Sequence, residues 1–199
     1  MMRCVDRLNP PPISAVPDTR LRAEPVVCIR ALPRYCSAMI STRPGTADDA
    51  PDLAALLNAI IAIGGTTALE VPFSADAFAE TFITGAKCLS CQVAVAPDGS
   101  LAGFQVLARE AWLPAGWGDI GTFARPEPRL RGVGSALFPA TVAVARGLGL
   151  TAINATIRGD NVPGLAYYAG LGFKDDRRVP GHALRDGTVV DKIWRRYSL

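Results

Sequence analysis

From Ile40 to the C-terminus, strand-like and helix-like segments alternate in short lengths, and this alternation narrows the possible folds most. Ile40–Arg43 is a short strand closed by Pro44-Gly45. Thr46 with Asp49 three residues on has the form of a capping box, and Leu53, Leu56, Leu57, Ile60 and Ile63 then follow helical spacing until Gly64-Gly65. Ser74 can cap a second helix carrying Phe78, Phe82 and Ile83, which Gly85 ends. Gln92–Ala96 and Leu101–Ala108 read as a hairpin around the turn sequence Pro97-Asp98-Gly99-Ser100. Asp119–Ala124 is the next strand, broken by Arg125-Pro126-Glu127-Pro128. Gly132-Val133-Gly134 leads into a helix with Leu137, Val144 and Leu148 on one face, and Pro139 inside it is expected to loosen its first turns. Thr151–Ile157 is a strand, Pro163–Ala169 a short helix started by Asp160 or Asn161, and strands near Phe173–Arg177 and Thr188–Tyr197 close the chain. The order β-α-α-β-β-β-α-β-α-β-β predicts an α/β domain with a mixed sheet between helices.

Residues 1–38 differ in kind. They hold six prolines and no sustained periodicity, which excludes a regular helix or central strand and predicts a mostly disordered extension ahead of a domain at 39–199. Met39 has the look of a domain start, and the plain expectation is that translation begins there. The extension has no apolar core of a secretory signal, and Asp6, Asp18 and Glu24 speak against a transit peptide. Its six arginines and three acids account for the whole net charge of +3, leaving the body neutral. A neutral body lacks the concentrated basic face of a nucleic-acid binder. No apolar run reaches the length of a membrane span. The five cysteines, Cys4, Cys28, Cys36, Cys88 and Cys91, are odd in number, so they are no disulfide framework, and a reducing cytoplasm suits them. Cys88-Leu-Ser-Cys91 has CxxC spacing but runs into a strand, whereas a redox pair sits at a helix N-terminus. A zinc site would need two more ligands, and His182 is the sole histidine, so no metal is expected.

The segment richest in chemical meaning is Arg129-Leu130-Arg131-Gly132-Val133-Gly134-Ser135, between a strand and a helix. Glycines there let backbone N–H groups converge on an anion, the helix N-terminus adds positive potential, and two arginines stand on the rim. Such a loop suits a phosphate or pyrophosphate; it also serves as a plain Gly-rich turn. It is neither GxxxxGK[ST] nor GxGxxG, which excludes a Walker loop and disfavours a dinucleotide fold.

With these residues the chain resembles the GNAT superfamily of acyl-CoA-dependent N-acetyltransferases. Arg129–Gly134 matches its (Q/R)xxGxG/A loop. About thirty residues on, Asn161, Gly164, Tyr168, Gly172 and Phe173 match its second element. Within the superfamily the body looks most like the phosphinothricin acetyltransferase branch, through Thr66-Thr67, Glu70, Pro72, Gly181-His182, Asp186-Gly187 and Asp191. The resemblance implies a central mixed sheet splayed between strands 4 and 5, flanked by helices, with acetyl-CoA as co-substrate. It implies that Thr122, Phe123 and Ala124 hold the pantetheine arm through their backbone, and that N–H groups from Arg129 through Leu130, Arg131, Gly132, Val133 and Gly134 to Ser135 cradle the pyrophosphate. It further implies that Asn161 binds the pantetheine and Tyr168 faces the sulfur. The implied acceptor is a small amine or amino-acid-like molecule; a homodimer is a family-level expectation.

Acetyl transfer needs a proton acceptor for the amine, donors for the carbonyl oxygen and a proton for the leaving thiolate. The resemblance gives the second role to a backbone N–H near Phe123 or Ala124 and the third to Tyr168. Tyr168 lies seven residues after Asn161, nearly two helical turns, so the two share a face, while Tyr167 points about 100° away. The base is Asp119, which aligns with an acidic residue of the phosphinothricin branch, or else Glu110, Glu70 or no side chain at all. His182 either lines the acceptor pocket or is structural, and Trp112 and Trp117 are acceptor contacts or core and rim aromatics. The acceptor pocket is expected from Gly64–Phe73, Glu110–Gly118 and Val179–Gly187. An acyl-CoA-binding sensor or partner module without turnover is the alternative function.

Overall fold

A computed structural model describes residues 40–199. The readings that concern the extension, its three cysteines and Met39 lie outside these residues. The elements are β1 (Ser41–Pro44), α1 (Ala50–Ile63), α2 (Ala75–Ala79), β2 (Cys88–Val95), β3 (Leu101–Ala108), β4 (Trp117–Ala124), α3 (Val133–Gly147), β5 (Ala152–Arg158), α4 (Val162–Gly170), β6 (Lys174–Ala183) and β7 (Val189–Ser198). The seven strands form one mixed sheet in the order β1-β2-β3-β4-β5-β7-β6. Every neighbouring pair is antiparallel except β4 and β5, which run parallel.

That parallel pair carries the main architectural consequence. It joins only Trp117–Asp119 to Ala152–Asn154. β4 continues to Ala124 and β5 to Arg158 without further pairing to each other, so the sheet opens into a wedge beyond Asp119.

Two cores pack on opposite faces. On one face α1 and α2 bring Leu53, Leu57 and Phe78 against Val93, Phe104 and Val106. Phe78 meets Phe104 edge-on with ring centres 5.1 Å apart, and Phe104 stacks on Phe123 at 4.8 Å. On the other face α3 and α4 bring Phe138, Val142 and Tyr168 against Ile120, Ile153, Ala155 and Ile157. Because side chains alternate along a strand, β4 sends Ile120 and Thr122 to the α3–α4 face and Asp119 and Phe123 to the α1–α2 face.

The predicted start of α1 is present with an addition. Asp49 accepts from the Thr46 backbone N–H at 2.8 Å, and the Arg43 guanidinium grips the same carboxylate with two contacts of 2.7 Å. Arg43 holds the Asp49 carboxyl down at about 2. The helix begins as a 3-10 turn at Ala47–Asp49. Ser74 caps α2, accepting from the Ala77 N–H, and α2 runs into a π turn at Glu80–Thr84. α3 is continuous from Val133 to Gly147 with Pro139 inside it. β2 begins four residues earlier than predicted, at Cys88, and β6 continues to Ala183 through Pro180-Gly181, where the register shifts between Val179 and His182. The shift lets an edge strand carry a proline without losing its partner. Cys88 and Cys91 are free, and burial pushes the Cys91 thiol up to about 12. Among the described residues no helix is long and apolar enough to cross a membrane.

Candidate active site

The loop after β4 reaches α3 through Gly132, whose φ of 82° lies in the left-handed region that a side chain disfavours. The first bond of the helical ladder runs from Ala136 N–H to Gly132 O. The N–H groups of Val133, Gly134 and Ser135 therefore precede the ladder at the positive end of a fifteen-residue helix. Arg129 and Arg131 are exposed beside it, and among the described residues neither forms an ion pair. Leu130 is half-buried and packs with Val133 and Leu137. Gly134 meets a constraint that the sequence did not announce: a Cβ there would lie 2.5 Å from the Tyr167 hydroxyl.

Tyr168 is buried on α4. Its hydroxyl lies 3.0 Å from Thr122 Oγ1 and 3.5 Å from the Ile120 carbonyl, at the mouth of the wedge. Burial drives its pKa well above the ordinary phenol value, against the pull of Thr122. Tyr167 corrects the sequence reading. It does not turn away from Tyr168; the two rings are 4.8 Å apart, and Gln105 Nε2 donates to the Tyr167 oxygen at 3.4 Å. Both phenols thus converge on β3 and β4, because α4 lies close over the sheet.

Asn161 is the N-cap of α4. Its Oδ1 accepts from Gly164 N–H at 2.9 Å, and its Nδ2 donates to the Thr66 carbonyl at 2.8 Å. The side chain expected to serve a ligand is thus also engaged in capping and in tethering the loop after α1. The same loop is held by Arg158, which donates to the Thr67 carbonyl at 3.1 Å, and by Asn58, which clasps both backbone groups of Phe73.

On the opposite face of the sheet, Asp119 sits at the last paired position before the wedge opens. It is half-buried, and its Oδ1 accepts from Asn154 Nδ2 at 2.7 Å and from Thr156 Oγ1 at 3.4 Å. Burial raises its carboxyl to about 7, the two hydrogen bonds oppose the rise, and the charge of Glu110 adds to it. Asp119 is also near enough for its charge to raise Tyr168 further. The rival acids each have a partner. Glu110 pairs with Lys87 at 3.1 Å, and Glu70 accepts from the Arg185 backbone N–H at 2.9 Å, tying two of the predicted acceptor loops together. His182 is half-buried on β6. Trp112 is half exposed and leans on Trp194 of β7, with ring centres 4.9 Å apart, while Arg177 covers Trp194 at 4.7 Å. Trp117 lies under Arg196 at 5.6 Å. Two open grooves of about 560 and 860 Å³ lie elsewhere, and neither is lined by Asp119, Tyr168 or residues 129–135.

A wedge between parallel strands, with helix-start amides at its side and a buried phenol at its mouth, is a distinctive arrangement. The family model for GNAT acetyltransferases matches residues 66–173, more than half of the chain. The chain belongs to the GNAT acetyltransferase family. The match spans the wedge, the amide loop and α4, and it makes the protein an acyltransferase of the N-acetyltransferase type. Among solved structures, a protein assigned as a phosphinothricin N-acetyltransferase is 25% identical, with a TM-score of 0.70 over 81% of this chain and 99% of its own. The Sinorhizobium meliloti phosphinothricin acetyltransferase, solved with acetyl-CoA, is 21% identical, with a TM-score of 0.69 over 80% of this chain and 88% of its own. An acetyltransferase-type protein from Salmonella typhimurium, solved with its cofactor acetyl-CoA, is 16% identical, with a TM-score of 0.67 over 80% and 94%. No curated protein matches this GNAT chain in sequence.

The residues that sequence reasoning missed are Gln105, Asn154, Thr156 and Tyr167. A polar residue inside the apolar run Phe104–Leu107 was the available signal for Gln105.

Proposed function

We propose that this GNAT protein moves an acetyl group from acetyl-CoA to the amine of a small, amino-acid-like molecule by direct transfer in a ternary complex. One observation carries the reading: Asp119 and Tyr168 approach the β4–β5 wedge from opposite faces of the sheet, each held by hydrogen bonds, and the charge of Asp119 reaches Tyr168.

The residues present fit the donor. The amides of Val133, Gly134 and Ser135 are free of the helical ladder, Gly132 faces open space, and Arg129 and Arg131 add positive charge for a pyrophosphate. The unpaired side of Thr122, Phe123 and Ala124 offers backbone donors and acceptors to an arm bearing amides. When bound, acetyl-CoA supplies an acetyl thioester. Asp119, with its carboxyl near 7, takes a proton from the nitrogen as the N–C bond forms. A backbone N–H near Phe123 or Ala124 steadies the carbonyl oxygen. Tyr168 gives a proton to the sulfur as the C–S bond breaks. One proton leaves the amine and one reaches the thiol; Asp119 and Tyr168 return to their starting states by exchange with solvent.

The acceptor reaches Asp119 from the α1–α2 face. Its walls are the loops 64–73, 110–118 and 179–187; Glu70 ties the first to the third, and the Arg178–Asp191 pair stands beside the third. Free-thiol release measured over a panel of small amines and amino acids tests the reading. An amine-dependent rate is expected, with Tyr168→Phe lowering kcat about 10²-fold and leaving acetyl-CoA affinity within about threefold. Acetyl-CoA binding with no amine-dependent release across the panel would make the protein a binding module.

A further inference from the structure

Gln105 is wholly buried in the middle of β3, directly opposite Thr122 of β4. A polar side chain at such a position costs stability unless it is hydrogen-bonded. Its Nε2 lies 2.9 Å from Thr122 Oγ1 and 3.4 Å from the Tyr167 hydroxyl oxygen, while its Oε1 has no partner among the described residues. The amide orientation follows from counting. The nitrogen carries two hydrogens and has two acceptors in reach; turning the amide over would bury two unused N–H groups in place of one unused carbonyl, the worse outcome.

That orientation bears on the next hydrogen bond. Thr122 Oγ1 accepts from Gln105, so its own single proton must find an acceptor. The Tyr168 oxygen stands 3.0 Å away. Either oxygen of this pair can donate; with Thr122 donating to Tyr168, its nearest acceptor, the Tyr168 proton points onward to the Ile120 carbonyl at 3.5 Å. We infer that Gln105 and Thr122 are positioning residues for acyl transfer: they fix a one-way hydrogen-bond chain from Gln105 through Thr122 to Tyr168, which aims the phenol proton at the wedge and supports the phenolate left behind when that proton departs. The inference rests on the reading of Tyr168 as the acid that protonates the thiolate. It concerns the side chain of Thr122, which is distinct from the backbone groups offered to the donor's arm.

The chemistry of the step is conserved: the O–H bond of Tyr168 breaks, an S–H bond forms, and the negative charge moves from sulfur to the phenol oxygen. A donor already directed at that oxygen stabilises the charge in the transition state without touching the ground-state thioester. The effect belongs to kcat and not to donor binding.

The test compares Thr122→Val, Thr122→Ser, Gln105→Met, Tyr168→Phe and the double variant Thr122→Val/Tyr168→Phe. The readouts are thiol release at saturating acceptor, acetyl-CoA affinity by calorimetry and melting temperature. Thr122→Val keeps the shape and deletes the donor; kcat is expected to fall about tenfold, equal to about 1.4 kcal/mol, with acetyl-CoA affinity within about threefold. Thr122→Ser restores the hydroxyl and is expected to retain most of the turnover. Gln105→Met frees the Thr122 proton to turn elsewhere and lowers kcat in the same direction. Added to Tyr168→Phe, Thr122→Val is expected to change nothing more, because the oxygen it serves is gone. A fully active Thr122→Val beside an impaired Tyr168→Phe would overturn the inference and leave the acid assignment standing. An undiminished tenfold loss in the double variant would do the same. An unimpaired Tyr168→Phe would remove the acid assignment and this inference with it.

Discussion

Asp119→Asn is expected to make the protein more stable and less active at the same pH. The carboxyl is raised by burial from 3.8 to about 7, roughly three pH units at 1.36 kcal/mol each. Ionising it in the folded state therefore costs at most about 4 kcal/mol relative to the unfolded chain. The folded pKa lies above the unfolded one, so the folded state binds more protons between about pH 4 and 7. Stability accordingly falls as pH rises through that window and levels off above it. Asparagine keeps the shape and can still accept from Asn154 Nδ2, now 2.7 Å from Asp119 Oδ1, but it never ionises. Parent and variant should match near pH 4 and diverge until the variant leads by as much as about 4 kcal/mol at pH 8. Urea unfolding of both proteins in steps from pH 4.5 to 8.5 measures this directly. Over the same range kcat/KM for the acceptor should be about 10²-fold lower in the variant at neutral pH, with the deficit shrinking as free amine accumulates in alkali. A stability difference that stays flat with pH, or that widens toward acid, would refute the burial argument.

Gly134→Val should weaken acetyl-CoA binding at least tenfold, about 1.4 kcal/mol, by calorimetry, and should lower the melting temperature as well, since its Cβ would press on the Tyr167 hydroxyl. Asp49→Asn loosens the start of α1; a loss of about 1.5–3 kcal/mol is expected at neutral pH. Because Arg43 holds the Asp49 carboxyl near 2, that loss should fade as the pH falls from about 4 toward 2, which acid titration of both proteins by circular dichroism would show. A chain beginning at Met39 should fold, bind acetyl-CoA and turn over like the full chain; a clear drop in melting temperature would mean that residues 1–38 pack on the domain.

The order of elements was legible because the punctuation was local. Thr46 and Asp49, Ser74, the turn at residues 97–100 and Gly132 each act within a few residues of where they stand. The strand limits were less so. The sequence places a strand near Phe173–Arg177, yet β6 runs on through Pro180-Gly181 to Ala183, because an edge strand needs only one partner and a register shift absorbs the proline. The positions of Tyr168, Asp119 and the amide loop could be anticipated from their spacing and from resemblance. Their supports could not. Asn154 and Thr156 meet Asp119 only through a parallel pairing of strands some thirty-five residues apart, and Tyr167 meets Gly134 only because α4 lies down beside the start of α3. Gln105 showed itself as an oddity in an apolar strand, without any hint of what it addressed.

The short pairing of β4 with β5 has a mechanical side. A sheet edge is usually found on the outside of a protein, where charge, proline or a bulge keeps other strands from adding to it. Here a further edge is created inside the domain, along β4 beyond Asp119, bounded by Pro126 and Pro128 where the chain leaves the strand. α3 and α4 pack on the face of the sheet beside it. Unpaired strand groups of this kind can pair with a thin, extended molecule that carries amides of its own. Backbone hydrogens of β4 that turn away from β3 should therefore exchange quickly with water in the free protein and slow together on binding such a molecule, while those facing β3 stay protected throughout.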